Sequence, residues 1–240
     1  MENKKLNQRQ KRIRNLEWNA IVNILQNYQG NFIDIGAGTG YSMYKAADMG
    51  FQVYGIEPCL NEHGVIDPNI KDIANKIQEG SAEYLPFPDH FFQIVYASHS
   101  LEHFENTHKG LSEMERVLDQ AGIAIIIVPT GIMAFVNLIS HYLFTTHRRI
   151  GKFLIRKKSL KNFRNIFFPD AHGSQCSTII GEISLFRVKR WKKLIKQHFD
   201  INQILLPCLY PYPDFPQLFP YISNNKVSSS VVFICSRKDN

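Results

Sequence analysis

Cysteine is scarce and scattered. The chain has four in 240 residues, Cys59, Cys176, Cys208 and Cys235, and none forms a Cys-x-x-Cys pair. Thiolate metal sites and disulfide frameworks need closer or regular spacing, so neither is expected, and a reducing, cytoplasmic setting is. No histidine–carboxylate cluster has metal-ligand spacing; His141 and His147 flank a basic run and read as surface, so no metal is expected. The first residues are charged and lack an apolar core before a small-residue cleavage site, which argues against a secretory signal. Internal repeats and low-complexity tracts are absent. Charged side chains are missing from 121–144, a window long enough to suggest a membrane span. Pro129 interrupts that window, and Asn137, Ser140 and His141 dilute it. It reads instead as a buried strand over 123–128, then an apolar segment suited to an interface over 132–144.

Acidic residues are missing too, from the whole interval between Asp119 and Asp170. Within it, 148–164 carries eight basic residues; residues 1–14 carry six against one acid. The net charge of +7 is thus concentrated in two segments, which points to an anionic partner contacted locally. An apolar stretch running into cations fits the surface of an anionic bilayer, so peripheral contact with the inner membrane surface through 132–164 is one expectation. A phosphate-bearing ligand is another, and nucleic acid a weaker third. Hydrophobic content of 44% and charged content of 20% are ordinary for a folded domain of this length.

What is present begins at Phe32. The run Phe32-Ile33-Asp34-Ile35-Gly36-Ala37-Gly38-Thr39-Gly40 reads as a buried strand entering a glycine turn. A helix is expected over 41–49, and a second strand over 52–56 that ends in Glu57. Glycine accepts positive φ and has no Cβ, so such a turn lets backbone approach a ligand beside a helix N-terminus. An acid closing the next strand can accept from both hydroxyls of a ribose. The spacing departs from the dinucleotide fingerprint: the third glycine comes one residue early, at Gly40, with Tyr41 where the last glycine would stand.

The Asp-x-Gly-x-Gly-x-Gly pattern resembles the first motif of class I S-adenosylmethionine (SAM) methyltransferases. Further stretches resemble the same family. They are the run from Gly80 to Asp89, the strand over 91–97 with Ser98-His99-Ser100-Leu101-Glu102-His103, and the run from Glu113 to Gly122 leading into a strand and Pro129. The resemblance is to the large methyltransferase type 11-like group that includes ubiquinone and menaquinone enzymes, and it covers about residues 30 to 130. From Phe168 to Phe199 the chain weakly resembles bacterial methyltransferases of saccharide or lipid-linked precursors. The resemblance implies an α/β, Rossmann-like sheet of seven mostly parallel strands with helices on both faces. The last two strands, over 201–206 and 230–235, would form the antiparallel pair.

An amphipathic helix is expected within 1–29, from Ile13, Leu16, Ala20, Ile21, Ile24, Leu25 and Tyr28 at helical spacing. The SAM-binding core would be 30–130, an inserted acceptor lid 131–182, and a helix with the last strands 183–240. A proline- and aromatic-rich loop over 210–221 is a candidate acceptor wall.

For SAM, the resemblance implies that Gly36, Gly38 and Gly40 let the backbone approach the methionine and ribose. Asp34 would act near the amino group and Glu57 at the ribose hydroxyls. Ala82 would offer its N–H to adenine, and Ser98 its carbonyl to the methionyl amine. Many members carry Asp where this chain has Ser81, so the adenine-amine contact falls to the Ser81 hydroxyl or to the backbone there. The sulfonium already activates the methyl group, so the protein mainly positions. A base is needed only for a protonated acceptor, and His99, His103 and His172 are the candidates. The reading is a SAM-dependent methyltransferase acting on O or N of a small or lipid-linked acceptor. Its rivals are an RNA methyltransferase, and a catalytically silent membrane- or partner-binding protein on the same fold.

Overall fold

The computed structural model describes residues 2–60, 71–144, 179–210 and 226–238. In chain order these form α1 (Glu2–Leu25), β1 (Asn31–Ile35), α2 (Tyr41–Asp48), β2 (Gln52–Glu57), α3 (Lys71–Ala74), β3 (Ile77–Glu79) and β4 (Phe92–Ser98). After a 3-10 turn (Leu101–His103) come α4 (Thr107–Val117), β5 (Leu118–Pro129), α5 (Gly131–Phe144), α6 (Ile179–Leu185), α7 (Val188–Ile195), β6 (Phe199–Leu205) and β7 (Ser230–Arg237).

The strands make one seven-stranded sheet in the order β3-β2-β1-β4-β5-β7-β6. Strands β1 to β5 pair in parallel; β7 runs antiparallel to both β5 and β6. The expected α/β class and seven-stranded, mostly parallel sheet are therefore observed, and the last two strands form the expected antiparallel pair. β5 starts at Leu118, earlier than expected, because Leu118 pairs with Phe92 ahead of an irregularity in register. β6 likewise starts at Phe199 and carries a second irregularity between Ile201 and Gln203.

Strand alternation decides which residues meet which layer. On one face, Ile33, Ile35, Val95, Ala97, Ile126 and Phe233 pack with α4, α6 and α7. On the other, Phe32, Ile94, Tyr96 and Ile125 pack under Trp18, Ile21 and Leu25 of α1 and Met43 and Ala46 of α2. The same period carries Asp34 and Ser98 onto the α1 side. α1 is longer than the sequence spacing predicts, and its upper turns place Ile13 and Leu16 against Met133, Cys208 and Tyr210.

The β1–α2 turn is built from glycines for two separate reasons. Gly36, Gly38 and Gly40 have φ of 77°, 52° and 76°. A Cβ on Gly36 would lie 2.4 Å from the Ser100 Cβ, so that glycine serves close packing. A Cβ on Gly38 would meet nothing within 4 Å, so Gly38 faces open space. In both, alanine carries the left-handed backbone cost of roughly 1–2 kcal/mol; only Gly36→Ala adds a clash. Urea unfolding should therefore show Gly36→Ala to be clearly less stable than Gly38→Ala.

Candidate functional site

Parallel pairing places the ends of β1, β2, β3 and β4 along one edge of the sheet. Glu57 is buried at the end of β2, and its Oε2 accepts from the Gly38 N–H at 2.9 Å. The turn is pinned from the same strand, because the Gly36 and Ala37 N–H groups both donate to the Ile56 carbonyl. Glu57 pairs in register with Glu79, so the chain leaves β3 into Gly80, Ser81 and Ala82 beside it, and the Gly80 N–H donates to the Glu57 carbonyl. The glycine turn, Glu57, Ser81 and Ala82 are thus neighbours along the edge. Ala82 is buried against Phe104 and Leu85 in the core on the α4 side.

Asp34 lies inside β1, buried, with burial driving its carboxyl up to about 8. Arg14 and the Ser42 hydroxyl oppose that rise, and Glu57 adds to it. A carboxyl so destabilised as an anion is suited to receive a cationic group. Ser98 ends β4, and its hydroxyl accepts from Arg14 Nη1 at 2.9 Å.

The three candidate bases meet different fates. His172 lies outside the described residues. His103 is exposed on the 3-10 turn. His99 follows β4 directly with φ of 52°, a left-handed backbone for a bulky residue. Its Nε2 is 2.8 Å from Glu17 Oε1, and its Nδ1 is 3.7 Å from Glu102 Oε1. Burial raises the Glu102 carboxyl above its ordinary range. For Glu17 burial acts the same way, but the facing His99 ring and Arg14 outweigh it and hold the group at about 2. An ionised Glu17 can only accept, so the hydrogen sits on His99 Nε2. The ring is held edge-on by the protein, one nitrogen already engaged.

Sequence reasoning missed this part of the site. α1 contributes three polar links to the sheet edge and α2: Arg14 to Ser98, Glu17 to His99, and Tyr41 Oη to Asn15 Oδ1 at 2.8 Å. Arg14 Nη1 also reaches Glu17 Oε2 at 3.0 Å. A signal was there: Glu17 lies four residues from Ile13 and from Ile21, on the helix's apolar stripe, where a charge is costly unless paired. A third basic segment was also missed. Arg187, Lys189, Arg190, Lys192, Lys193 and Lys196 are exposed along α7, while Trp191 and Ile195 face inward. Among the described residues no group of three or more His, Cys, Asp or Glu could hold a metal.

Residues 33–126 match the family model described as a methyltransferase domain. The chain is 32% identical over 93 residues to an uncharacterized methyltransferase of Bacillus subtilis, covering 38% of this chain and 37% of that protein. It is 33% identical over 104 residues to the demethylmenaquinone methyltransferase of Chlorobaculum parvum, covering 40% of each. The chain therefore spans about two fifths of the length of these relatives. Among solved structures, a putative S-adenosylmethionine-dependent methyltransferase from Listeria monocytogenes aligns over 93% of this chain and 97% of its own, with TM-score 0.55 and 13% identity. That likeness is one of fold.

The Asp34 shift makes a prediction about stability. Its folded value, about 8, lies above the ordinary 3.8, so the native state holds the proton more tightly than the unfolded one. The penalty is absent below pH 4, grows as pH rises, and is complete above pH 8. Asp34→Asn should thus raise the melting temperature relative to the unaltered protein at pH 8, with the gain fading toward pH 4. A gain independent of pH would show that Asp34 titrates normally.

Proposed function

We propose that this chain, which carries a methyltransferase domain of the class I, SAM-dependent type, transfers a methyl group from SAM to an oxygen or nitrogen of a small-molecule or lipid-linked acceptor. The single observation that carries the donor reading is the pairing of Gly38, at positive φ and facing open space, with the buried carboxylate of Glu57 across the β1–β2 edge. Glu57 accepts from the ribose hydroxyls, and the glycine backbone lies along the sugar and methionine. Ser81 and the Ala82 N–H read the adenine. Asp34 and the Ser98 carbonyl take the methionyl ammonium, whose positive charge offsets the cost of ionising buried Asp34.

SAM supplies an activated methyl group. The chain's part is to hold the donor in line with the acceptor and exclude water. His103 and His172 remain the candidates to take a proton from a hydroxyl acceptor. His99 would do so only through Nδ1, since Nε2 is committed to Glu17. Calorimetry with SAM and S-adenosylhomocysteine should show binding at sub-millimolar concentration. Glu57→Ala should weaken it by about 1.5–3 kcal/mol, the loss of a charged acceptor. No binding by the unaltered protein would sink the donor reading.

An apolar, membrane-resident acceptor is favoured by a feature of α5. Ile132, Phe135 and Ile139, at positions i, i+3 and i+7, are all exposed, Phe135 by 52%. No helix among the described residues is long and apolar enough to cross a membrane. An apolar stripe followed in the sequence by the basic run over 148–164, which lies outside the described residues, suits peripheral contact with an anionic bilayer. In liposome flotation the protein should float with anionic vesicles more than with neutral ones, and Phe135→Asp should reduce that. Equal recovery with and without anionic lipid would count against it.

A further inference from the structure

We infer that Arg14, on α1 and outside the matched segment, is the residue that binds the α-carboxylate of the donor's amino-acid end; the inference rests on the SAM reading above. Three observations place it. First, its guanidinium reaches the carboxyl edge at β4, donating to the Ser98 hydroxyl at 2.9 Å. Second, it acts electrostatically on Asp34, the group set to take the donor's ammonium. An α-amino acid carries its ammonium and carboxylate on one carbon. A protein cation within electrostatic reach of the acid proposed for the ammonium is therefore placed for the carboxylate. Third, Arg14 is held from behind. Glu17, itself fully buried, bonds Arg14 Nη1 through Oε2 and His99 Nε2 through Oε1. One carboxylate thus fixes the cation and ties α1 to the residue after β4.

The chemistry suits the role. A guanidinium presents five N–H donors in a planar fork that matches a carboxylate. Nη1 is shared between Glu17 and a neutral serine hydroxyl; the serine bond is the weaker partner and the one a ligand carboxylate would replace. Glu17 is then a positioning residue for Arg14. Donor binding then exchanges the direct Arg14–Ser98 link between α1 and the sheet edge for one made through the ligand.

The test pairs two ligands with two proteins. S-adenosylhomocysteine has the amino-acid end; 5′-methylthioadenosine lacks it. In calorimetry, Arg14→Gln should bind S-adenosylhomocysteine about ten- to a hundredfold more weakly than the unaltered protein, with methylthioadenosine affinity unchanged within about twofold. Arg14→Lys, which keeps the charge and loses the fork, should fall between. Equal weakening of both ligands would mean that Arg14 only props the fold and would overturn the assignment, as would unchanged affinity for both. If Arg14→Gln does not fold, Arg14→Lys is read by the same ratio of the two ligands. If the unaltered protein bound methylthioadenosine as tightly as S-adenosylhomocysteine, the carboxylate subsite would be refuted while the nucleoside reading stood. If it bound neither, both would fall.

Discussion

β1 has parallel partners on both sides, and that double pairing organises the molecule. Because β2 and β4 run with β1, the chain leaves all three strands at one edge. The glycine turn then arrives there from β1, Glu57 from β2, and Ser98 and His99 from β4. The turn can reverse so tightly only because its glycines adopt φ that other residues resist. Ser100 occupies the space where a Cβ of Gly36 would stand, and its hydroxyl donates to the Ile35 carbonyl at 2.7 Å, joining the β1 and β4 exits.

Onto that edge α1 adds a layer of a different character. Its lower turns are held by apolar packing of Trp18, Ile21 and Leu25. Its upper turns add charge to the apolar contact of Ile13 and Leu16, with Glu17 between Arg14 and His99. A buried carboxylate with two partners is costly to leave half-paired, since losing either partner strands a charge in low dielectric. The position of α1 is therefore specified more sharply than by apolar contact alone. The same pairing explains how the left-handed backbone of His99 is sustained: its ring is fixed by Glu17, and its N–H donates to the Ile127 carbonyl.

The core was legible in the sequence because its signals are local. Phe32 to Gly40 spells a strand and a turn in nine residues, and Glu57 follows at the end of the next apolar run. β6 and β7 were legible as the last two strands, and their antiparallel pairing from the family resemblance. The α1 part of the site was not, because its partners lie 82 and 84 residues away along the chain. A charge on an apolar stripe signals a buried pair but does not name the partner. The basic face of α7 was hidden for another reason: averaging charge over the remainder of the chain set its six cations against acids lying elsewhere. Of the segment 131–182, expected to be an acceptor lid, only the two ends, in α5 and α6, lie within the described residues.

Among the described residues the sheet is open and ends in β3 and β6, and each is poorly suited to recruiting another chain. β3 is three residues long, too short to template a ladder, with Gln78 and Glu79 exposed. β6 breaks register between Ile201 and Gln203, and exposes Asp200, Asn202 and Gln203. Short length, a bulge and polar side chains are the devices by which natural sheets deter edge-to-edge aggregation. The irregularity in β6 thus gives the sheet a guarded margin, and with it protection against fibril-like stacking of one copy on the next.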